Sequence, residues 1–292
     1  MEPLTVLVTR GGLVEARHVV HAVAVRDGAV VLEAGDPGLV CYLRSSAKPF
    51  QALPAVRARP DLSDEEVAIA CASHLARPEQ LAAVRSLLAR APADEAELEC
   101  GADPTPIEHN CSGKHAAMLA LCRASGWPSE GYRRAGHPVQ EACLDVIAQA
   151  AEVDRAEIPR AVDGCGVETH ALPLERMALA FSRLPGLDGA DRVVAAMQAY
   201  PDHIRGPLAA DSILMRHAPG WTAKGGAEGL LCAVSPDGTG LAVKVTDGNT
   251  RAIRPALREL VRLLDGPDLS QLAPVLVRNS HGEEVGELVA ES

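Results

Sequence analysis

The arrangement of strand-like and helix-like segments limits the possible folds of this chain more than any other feature of its sequence. Val-rich segments at 4–8, 17–25 and 29–33, interrupted by Gly and Asp, predict strands near the N-terminus. Two further hairpins are predicted near the C-terminus, one over 229–247 and one in PVLVRNSHGEEVGELVA. Because sequential strands tend to pair, we expect the two ends to meet in one antiparallel sheet.

Helical patterns fill the middle of the chain. Ser63 and Glu66 have the spacing of a capping box. Helices are predicted over 77–90, 112–125, 138–151, 173–184 and 251–264. The sequence therefore predicts an α+β fold, an antiparallel sheet with flanking helices plus a helical lobe. Residues 1–292 would form a single catalytic domain, with a sheet lobe from about 1–44 and 220–292 and a helical lobe from about 45–219.

Charge and composition exclude several classes of partner. The net charge is -11 at pH 7, which argues against a nucleic-acid backbone or an anionic membrane surface. Two Trp, three Tyr and two Phe are too few for a base-stacking surface. No apolar run approaches the length of a membrane span, and no signal peptide is visible. The eight scattered cysteines then indicate reduced thiols and a cytoplasmic protein.

Lysine is unusually scarce. Lys and Arg together number 28, but only four of them are lysines, namely Lys48, Lys114, Lys224 and Lys244. Since arginine serves equally well as a solvent-exposed cation, a retained lysine suggests a role that requires loss of its proton. Codon usage is the alternative explanation, and it applies most readily to Lys244.

The first reactive pattern is Ser45-Ser-Ala-Lys48, followed by Pro49. Proline is tolerated in the first turn of a helix, so a helix is predicted to start close to Ser45–Ala47. Ser45 would lie at the helix N-terminus, with Lys48 one turn on as a base for its hydroxyl. The alternative is an N-cap serine with an exposed lysine.

Two more segments carry a serine or a lysine beside small residues. Ser73 lies in the segment CASH at the end of an apolar helix, where a buried cysteine and a terminal histidine are the plain interpretation. Lys224 precedes two glycines and a predicted hairpin. Glycine there would let a substrate approach the strand edge, although a simple glycine turn explains the pattern equally well.

A third set of residues has the chemistry of a metal site. Cys111 and Lys114 are three positions apart on one predicted helix face, and Cys165 lies in a tight DGCG loop. Two thiolates and a neutral amine would give zinc three ligands and leave one position open. His109, His115 and Cys100 are further candidates, and buried thiols without metal remain the alternative.

Five ordered segments give the chain a recognisable resemblance. RSSAKPFQALP, CASH, HNCSGKHAAMLALC, DGCGVETHALPLERMALAF and AKGGAEGLL resemble the rhizobial-type L-asparaginase II family and span residues 44 to 231. The resemblance implies a serine β-lactamase/glutaminase-like fold, hydrolysis of L-asparagine to L-aspartate and ammonia, a zinc ion and a homodimer. It pairs Ser45 with Lys48 and Ser73 with Lys224. It implies a zinc site of Cys111, Lys114 and Cys165, with Asp163 and His115 beside it to orient the ligands or the substrate.

The mechanism expected from this resemblance is acyl transfer. Ser45, deprotonated by Lys48, would attack the carboxamide carbon, and Ser73 with Lys224 would relay a proton to the departing ammonia. The chain departs from the family pattern at Leu75-Ala76, at Asp103 and at the shortened His109-Asn110. A glutaminase, another β-lactamase-like amidohydrolase and a non-enzymatic zinc- or amino-acid-binding homologue therefore stay open as alternatives.

Overall fold

The computed structural model describes residues 1–291, and its strands form one large and one small sheet. The strands within those residues are β1 (Leu4–Arg10), β2 (Leu13–Arg26), β3 (Ala29–Ala34), β4 (Val40–Tyr42), β5 (Arg160–Val162), β6 (Glu168–Pro173), β7 (Thr222–Gly225), β8 (Leu230–Val234), β9 (Gly240–Val245), β10 (Val275–Arg278) and β11 (Glu284–Ala290). The α-helices are α1 (Lys48–Ala58), α2 (Asp64–Ala70), α3 (Pro78–Arg90), α4 (Ser112–Ser125), α5 (Pro138–Ala151), α6 (Leu174–Arg183), α7 (Ala190–Ala199), α8 (Pro201–Ile204), α9 (Ala210–His217) and α10 (Ile253–Leu263).

The large sheet joins the two ends of the chain. Its order is β10-β11-β1-β2-β9-β8-β7, with β3 also paired to β2, and every pairing is antiparallel. Strand β2 is 14 residues long, so its first half pairs with β1 and its second half with β3. Asp27 and Gly28 connect β2 to β3 with φ of 51° and 77°, as a type I′ turn requires. The predicted α+β class and antiparallel sheet are confirmed.

Most of the predicted helices are confirmed. Ser63 and Glu66 form the expected capping box at the start of α2, with each side chain bonded to the other residue's backbone N–H. Helix α4 ends at Gly126, whose φ of 67° is the left-handed conformation that glycine favours at a helix end. Helices α4 and α5 have the predicted bounds, and α3, α6 and α10 differ from them by no more than two residues. No helix within residues 1–291 is both long enough and apolar enough to span a bilayer.

A second, three-stranded sheet was not predicted. Its order is β4-β6-β5, and its central strand β6 is buried over five of its six residues. A strand that is covered on both faces lacks the polar and apolar alternation that marks a half-exposed strand, so β6 gave no periodic signal. Strand β6 leads directly into α6, and the loop before it carries Cys165.

Helix α6 connects the sheet to the helical lobe. The sequence predicts this segment within the helical lobe of residues 45–219. In the structure α6 packs against β2 and β9 of the large sheet. Phe181 in α6 and Phe50 in α1 are the only two phenylalanines of the chain, and their rings meet edge to face with centroids 5.2 Å apart. The contact fixes α1, and therefore Lys48 at its start, relative to the sheet.

Candidate active site

Ser45 lies in a short 3-10 turn, Arg44–Ala47, that leads directly into α1 at Lys48. The backbone N–H of Lys48 donates to the carbonyl of Ser45. Residues three apart in a 3-10 turn lie one above the other, so Ser45 and Lys48 are on the same side. Lys48 is buried and Ser45 is partly exposed. The predicted helix start near Ser45–Ala47 is confirmed.

The side chain of Lys48 reaches the segment that carries Ser73. Its Nζ donates to the carbonyl of Ala72 at 2.5 Å and to the hydroxyl of Ser73 at 3.0 Å. Burial lowers the pKa of Lys48, and the nearby cation of Lys114 adds to this. A lysine with a lowered pKa can accept a proton, so the chemistry expected of Lys48 is available at this position.

Lys224 lies on β7, the edge strand at one end of the large sheet, and is completely buried. Its Nζ donates to the carbonyl of Gly225 at 2.7 Å and lies 3.8 Å from the carboxylate of Asp211. Burial lowers the pKa of Lys224 to about 7, with Asp211 partly offsetting the effect. Within residues 1–291 no hydrogen bond joins Lys224 to Ser73, so Ser73 pairs with Lys48 instead of the expected Lys224.

Two contacts attach β7 to the turn that carries Ser45. The hydroxyl of Ser46 donates to the carbonyl of Lys224 at 2.9 Å. At Gly226 a Cβ atom would lie 3.0 Å from both the carbonyl of Leu43 and the hydroxyl of Ser46. Only glycine allows so close an approach, which explains one of the two glycines that follow Lys224.

The segments 71–74 and 109–115 are also locked together. A hydrogen bond of 2.7 Å joins His74 Nε2 to the hydroxyl of Ser112. Burial and the nearby Lys48 lower the pKa of His74 to about 4, so this ring is neutral near pH 7. At Gly113 a Cβ would lie 2.1 Å from the carbonyl of Ile69, so α4 can approach α2 only through glycine.

The three predicted zinc ligands lie together. Lys114 Nζ donates to Cys165 Sγ at 3.1 Å, and the Cys111 thiol donates to Asn110 Oδ1 at 3.0 Å. Interaction with Cys165, helped by Lys48 and Lys114, lowers the pKa of the Cys111 thiol well below its usual value despite burial. Interaction with Cys111, together with burial, raises the pKa of the Cys165 thiol. Two sulfur atoms and one amine are therefore buried close together.

This donor set is chemically suited to zinc only if the lysine takes part. Within residues 1–291 no group of three or more His, Cys, Asp and Glu side chains is arranged to hold a metal ion. Two thiolates and an amine would complete three positions of a tetrahedral zinc site. Burial lowers the pKa of Lys114, but Cys165 and Cys111 raise it further than burial lowers it. Zinc binding at these residues would therefore displace protons.

His109 was a further candidate ligand. Its Nδ1 accepts a hydrogen bond from the backbone N–H of Cys111.

Asp163 contacts the turn through Arg44, a residue to which the sequence analysis gave no role. Arg44, which directly precedes Ser45, donates from Nε to Asp163 Oδ1 at 2.8 Å. Arg44 has a φ of 49°, which is rare for residues other than glycine. A strained arginine beside a partly exposed serine is typical of functional sites, but nothing in the local sequence indicates the strain.

His115 does not reach the partly exposed side of the site. Its ring is completely buried, and a hydrogen bond of 2.8 Å joins Nδ1 to the hydroxyl of Tyr132. Burial and the adjacent Lys114 hold the pKa of His115 well below its usual value. This placement fits an orienting role behind Lys114 better than a contact with substrate.

Two cavities border the turn and β7. One, of about 390 Å³, is lined by Tyr42, Arg44, Ala227 and other residues on the side of Arg44. The other, of about 180 Å³, is lined by residues that include Asp211 and Gly225.

The candidate active site combines the accessible Ser45, the buried Lys48 with its lowered pKa and the buried Ser73. Such a set can carry out nucleophilic acyl transfer.

Comparison with models of known protein families identifies the family of this chain. A model of the L-asparaginase II family matches residues 6–290. The chain belongs to this family. Family membership makes the protein an amidohydrolase of the asparaginase/glutaminase type, in agreement with the resemblance of the five sequence segments. A comparison with curated protein sequences finds no match.

Two solved structures share the fold at low sequence identity, and a third is less similar. A crystal structure of a protein called Mglu, in its native form, has a TM-score of 0.52 at 15% identity, covering 86% of this chain and 66% of that one. A second Mglu structure has a TM-score of 0.51 at 15% identity, covering 89% and 72%. A Bacillus glutaminase structure has a TM-score of 0.48 at 14% identity, covering 84% and 91%. The expected serine β-lactamase/glutaminase-like fold is confirmed.

Proposed function

We propose that this protein is an L-asparaginase that hydrolyses L-asparagine to L-aspartate and ammonia through an acyl-enzyme. The observation that carries the proposal is the buried amine of Lys48, bonded to Ser73 at 3.0 Å and placed on the same side of the turn as Ser45. The match to the L-asparaginase II family supports asparagine as the substrate.

Ser45 is the proposed nucleophile because it combines access with a base. It is partly exposed, whereas Ser73 is only 2% exposed and already bonded to Lys48. Lys48 takes the proton of the Ser45 hydroxyl as the oxygen attacks the carboxamide carbon. The lowered pKa of Lys48 keeps a larger share of its amine neutral and able to accept that proton.

Ser73 then passes a proton to the leaving group. As the C–N bond breaks, the Ser73 hydroxyl gives its proton to the departing nitrogen and receives one from Lys48. The 3.0 Å hydrogen bond supplies the path for this transfer. Water afterwards attacks the ester on Ser45 and releases aspartate, with Lys48 again serving as the base.

The N-terminal end of α1 is proposed to stabilise the oxyanion through the helix dipole, which favours negative charge there. The N–H of Lys48 is already bonded to the carbonyl of Ser45, and Pro49 has no N–H. Lys224, fixed to the same turn through Ser46, adds a partial positive charge because its pKa is about 7. Such preorganised charges stabilise the transition state more than the substrate.

Zinc is proposed to bind at Cys111, Lys114 and Cys165. Lys114 Nζ contacts Cys165 Sγ at 3.1 Å, and Cys111 caps the start of the helix that carries Lys114. A zinc ion there would supply a Lewis-acidic anchor for the α-amino or α-carboxylate group of the substrate. Asp163 would hold Arg44 beside the bound amino acid through its 2.8 Å ion pair. A homodimer in the cytoplasm is proposed on the family resemblance.

An ammonia-release assay tests the proposal and separates its alternatives. Zinc-loaded protein is incubated with L-asparagine or L-glutamine and ammonia release is measured. A β-lactam is tested in parallel by absorbance, because opening of its ring releases no ammonia. We expect the highest kcat/KM with asparagine. A higher value with glutamine or the β-lactam would reassign the substrate within the same mechanism. Binding of asparagine without hydrolysis of any of the three would instead identify a non-enzymatic homologue.

A further inference from the structure

Asp211 is a completely buried carboxylate in the first turn of α9 that no part of the proposed mechanism uses. Its Oδ1 accepts the backbone N–H of Ser212 at 2.9 Å, and its Oδ2 accepts the backbone N–H of Gly225, also at 2.9 Å. The same Oδ2 lies 3.8 Å from Lys224 Nζ. Buried carboxylates are rare unless they are paired, so this arrangement needs an explanation.

We propose that Asp211 is a positioning residue that holds the Lys224 side chain at the end of β7 beside the turn that carries Ser45. The effect on turnover rests on the proposed function, whereas the effect on Lys224 itself does not. Asp211 is bonded to the strand through Gly225 and faces the lysine of the neighbouring residue. It therefore fixes both the strand end and its charged side chain.

The close fit at Gly225 supports this role. A Cβ atom at Gly225 would lie 3.2 Å from Asp211 Oδ2, which is tighter than ordinary van der Waals contact. The second glycine after Lys224, Gly226, is needed for contact with the turn. The absence of a side chain at Gly225 therefore leaves room for the Asp211 carboxylate, and its absence at Gly226 leaves room for the turn that carries Ser45.

Asp211 is also the principal group that keeps a proton on Lys224. Several other charged or titratable groups face the amine, from the start of α1, the loop before α9, the segment before α4 and the end of α2. They are Lys48, Arg205, Cys111 and Cys71. Lys48 and Arg205 oppose the protonated amine, and Asp211 is the larger of the two favourable contributions, ahead of Cys111. Without Asp211, the buried amine would be neutral over most of the pH range near neutrality.

The scarcity of lysine makes a direct measurement feasible. With ¹³C-labelled lysine, the four lysines give four side-chain NMR signals, and Lys→Arg variants assign them. In Asp211→Asn we expect the Lys224 signal to titrate at least about one pH unit lower than in the wild type, as loss of an opposite charge within about 4–6 Å implies. The Lys244 signal, from an amine bonded to the carbonyls of Glu228 and Val245, is the internal control and should not change.

A second variant tests the same proposal in case Asp211→Asn does not fold. Gly225→Ala changes no charge but pushes a methyl group against Asp211 Oδ2. We expect a smaller shift of the Lys224 titration in the same direction. An unchanged Lys224 titration in both variants, or in Gly225→Ala if Asp211→Asn does not fold, would overturn the positioning role.

Turnover gives an independent comparison. If protonated Lys224 assists the site, the alkaline limb of the kcat/KM profile for asparagine should move to lower pH in Asp211→Asn by the amount that the NMR signal moves. Absence of ammonia release from wild-type protein would defeat the proposed function but leave the NMR result standing. Normal ammonia release with an unmoved Lys224 signal would defeat the positioning role alone.

Discussion

Lys48 donates a hydrogen bond of 3.0 Å to Ser73, a residue 25 positions further along the chain. The bond joins the start of α1 to the loop after α2, so it depends on how the two helices pack. It places the Lys48 amine beside Ser73, while Ser45 lies on the turn that leads into the same helix. The proposed transfer of a proton from the nucleophile to the leaving group needs this shared base.

The two serines should therefore respond differently to truncation. Ser45→Ala should show no turnover and no acyl-enzyme, because the attacking oxygen is missing. Ser73→Ala should keep a slow reaction, reduced by about 10²- to 10⁴-fold, since only a proton-transfer group is lost. Initial ammonia rates and mass spectrometry of acid-quenched protein measure both effects. Ser280→Ala, on the exposed turn before β11, is the control. Acyl-enzyme in Ser45→Ala would move the nucleophile to Ser73.

Replacing lysine by arginine separates charge from proton transfer. Arginine keeps its charge near neutral pH, so it can replace a lysine that serves only as a cation. Lys48→Arg should reduce kcat by at least about 10²-fold. Lys224→Arg should reduce it less, because Lys224 is proposed to act as a cation and arginine keeps that charge. Lys244→Arg should be nearly silent, because the Lys244 amine donates to the backbone carbonyls of Glu228 and Val245 and no proposed step uses it. Equal activity in all three variants would contradict the inference from lysine scarcity.

Zinc content gives a test that needs no substrate. Zinc-loaded wild-type protein should carry up to one zinc per chain after desalting, and Cys165→Ala should lose most of it. Cys122→Ala, which removes another buried thiol from α4, is the matched control. Occupancy should fall as the pH is lowered, because all three ligands must lose their protons. Equal zinc in Cys165→Ala and wild type, measured by elemental analysis, would return Cys111 and Cys165 to the role of buried thiols.

Local sequence signals predicted the elements better than the contacts between them. The capping box at Ser63 and the stop at Gly126 depend on a few neighbouring residues, and both are confirmed. The partner of Ser73 depends on the packing of α1 against α2, which spacing along the chain does not encode. Asp211 lacked any motif because its partners, Lys224 and the backbone of Gly225, lie more than ten residues away.

Two buried histidines should make the stability of the protein depend on pH in the acid range. Burial lowers the pKa of both His74 and His170 from 6.5 to about 4. Between these values the unfolded chain binds protons that the folded protein does not. The free energy of unfolding therefore falls as the pH decreases through this window.

His170 is the histidine whose replacement tests this most clearly. Both of its ring nitrogens are buried, with no hydrogen-bond partner among residues 1–291, so His170→Leu removes a titrating group without breaking a bond. We expect the urea midpoint of zinc-free His170→Leu to fall less between pH 6.5 and 4 than that of the wild type. His281→Ala, at an exposed position before β11, should keep the wild-type dependence. If His170→Leu and wild type lose stability in parallel, the buried ring does not remain neutral in the folded protein, and the acid sensitivity must come from other groups.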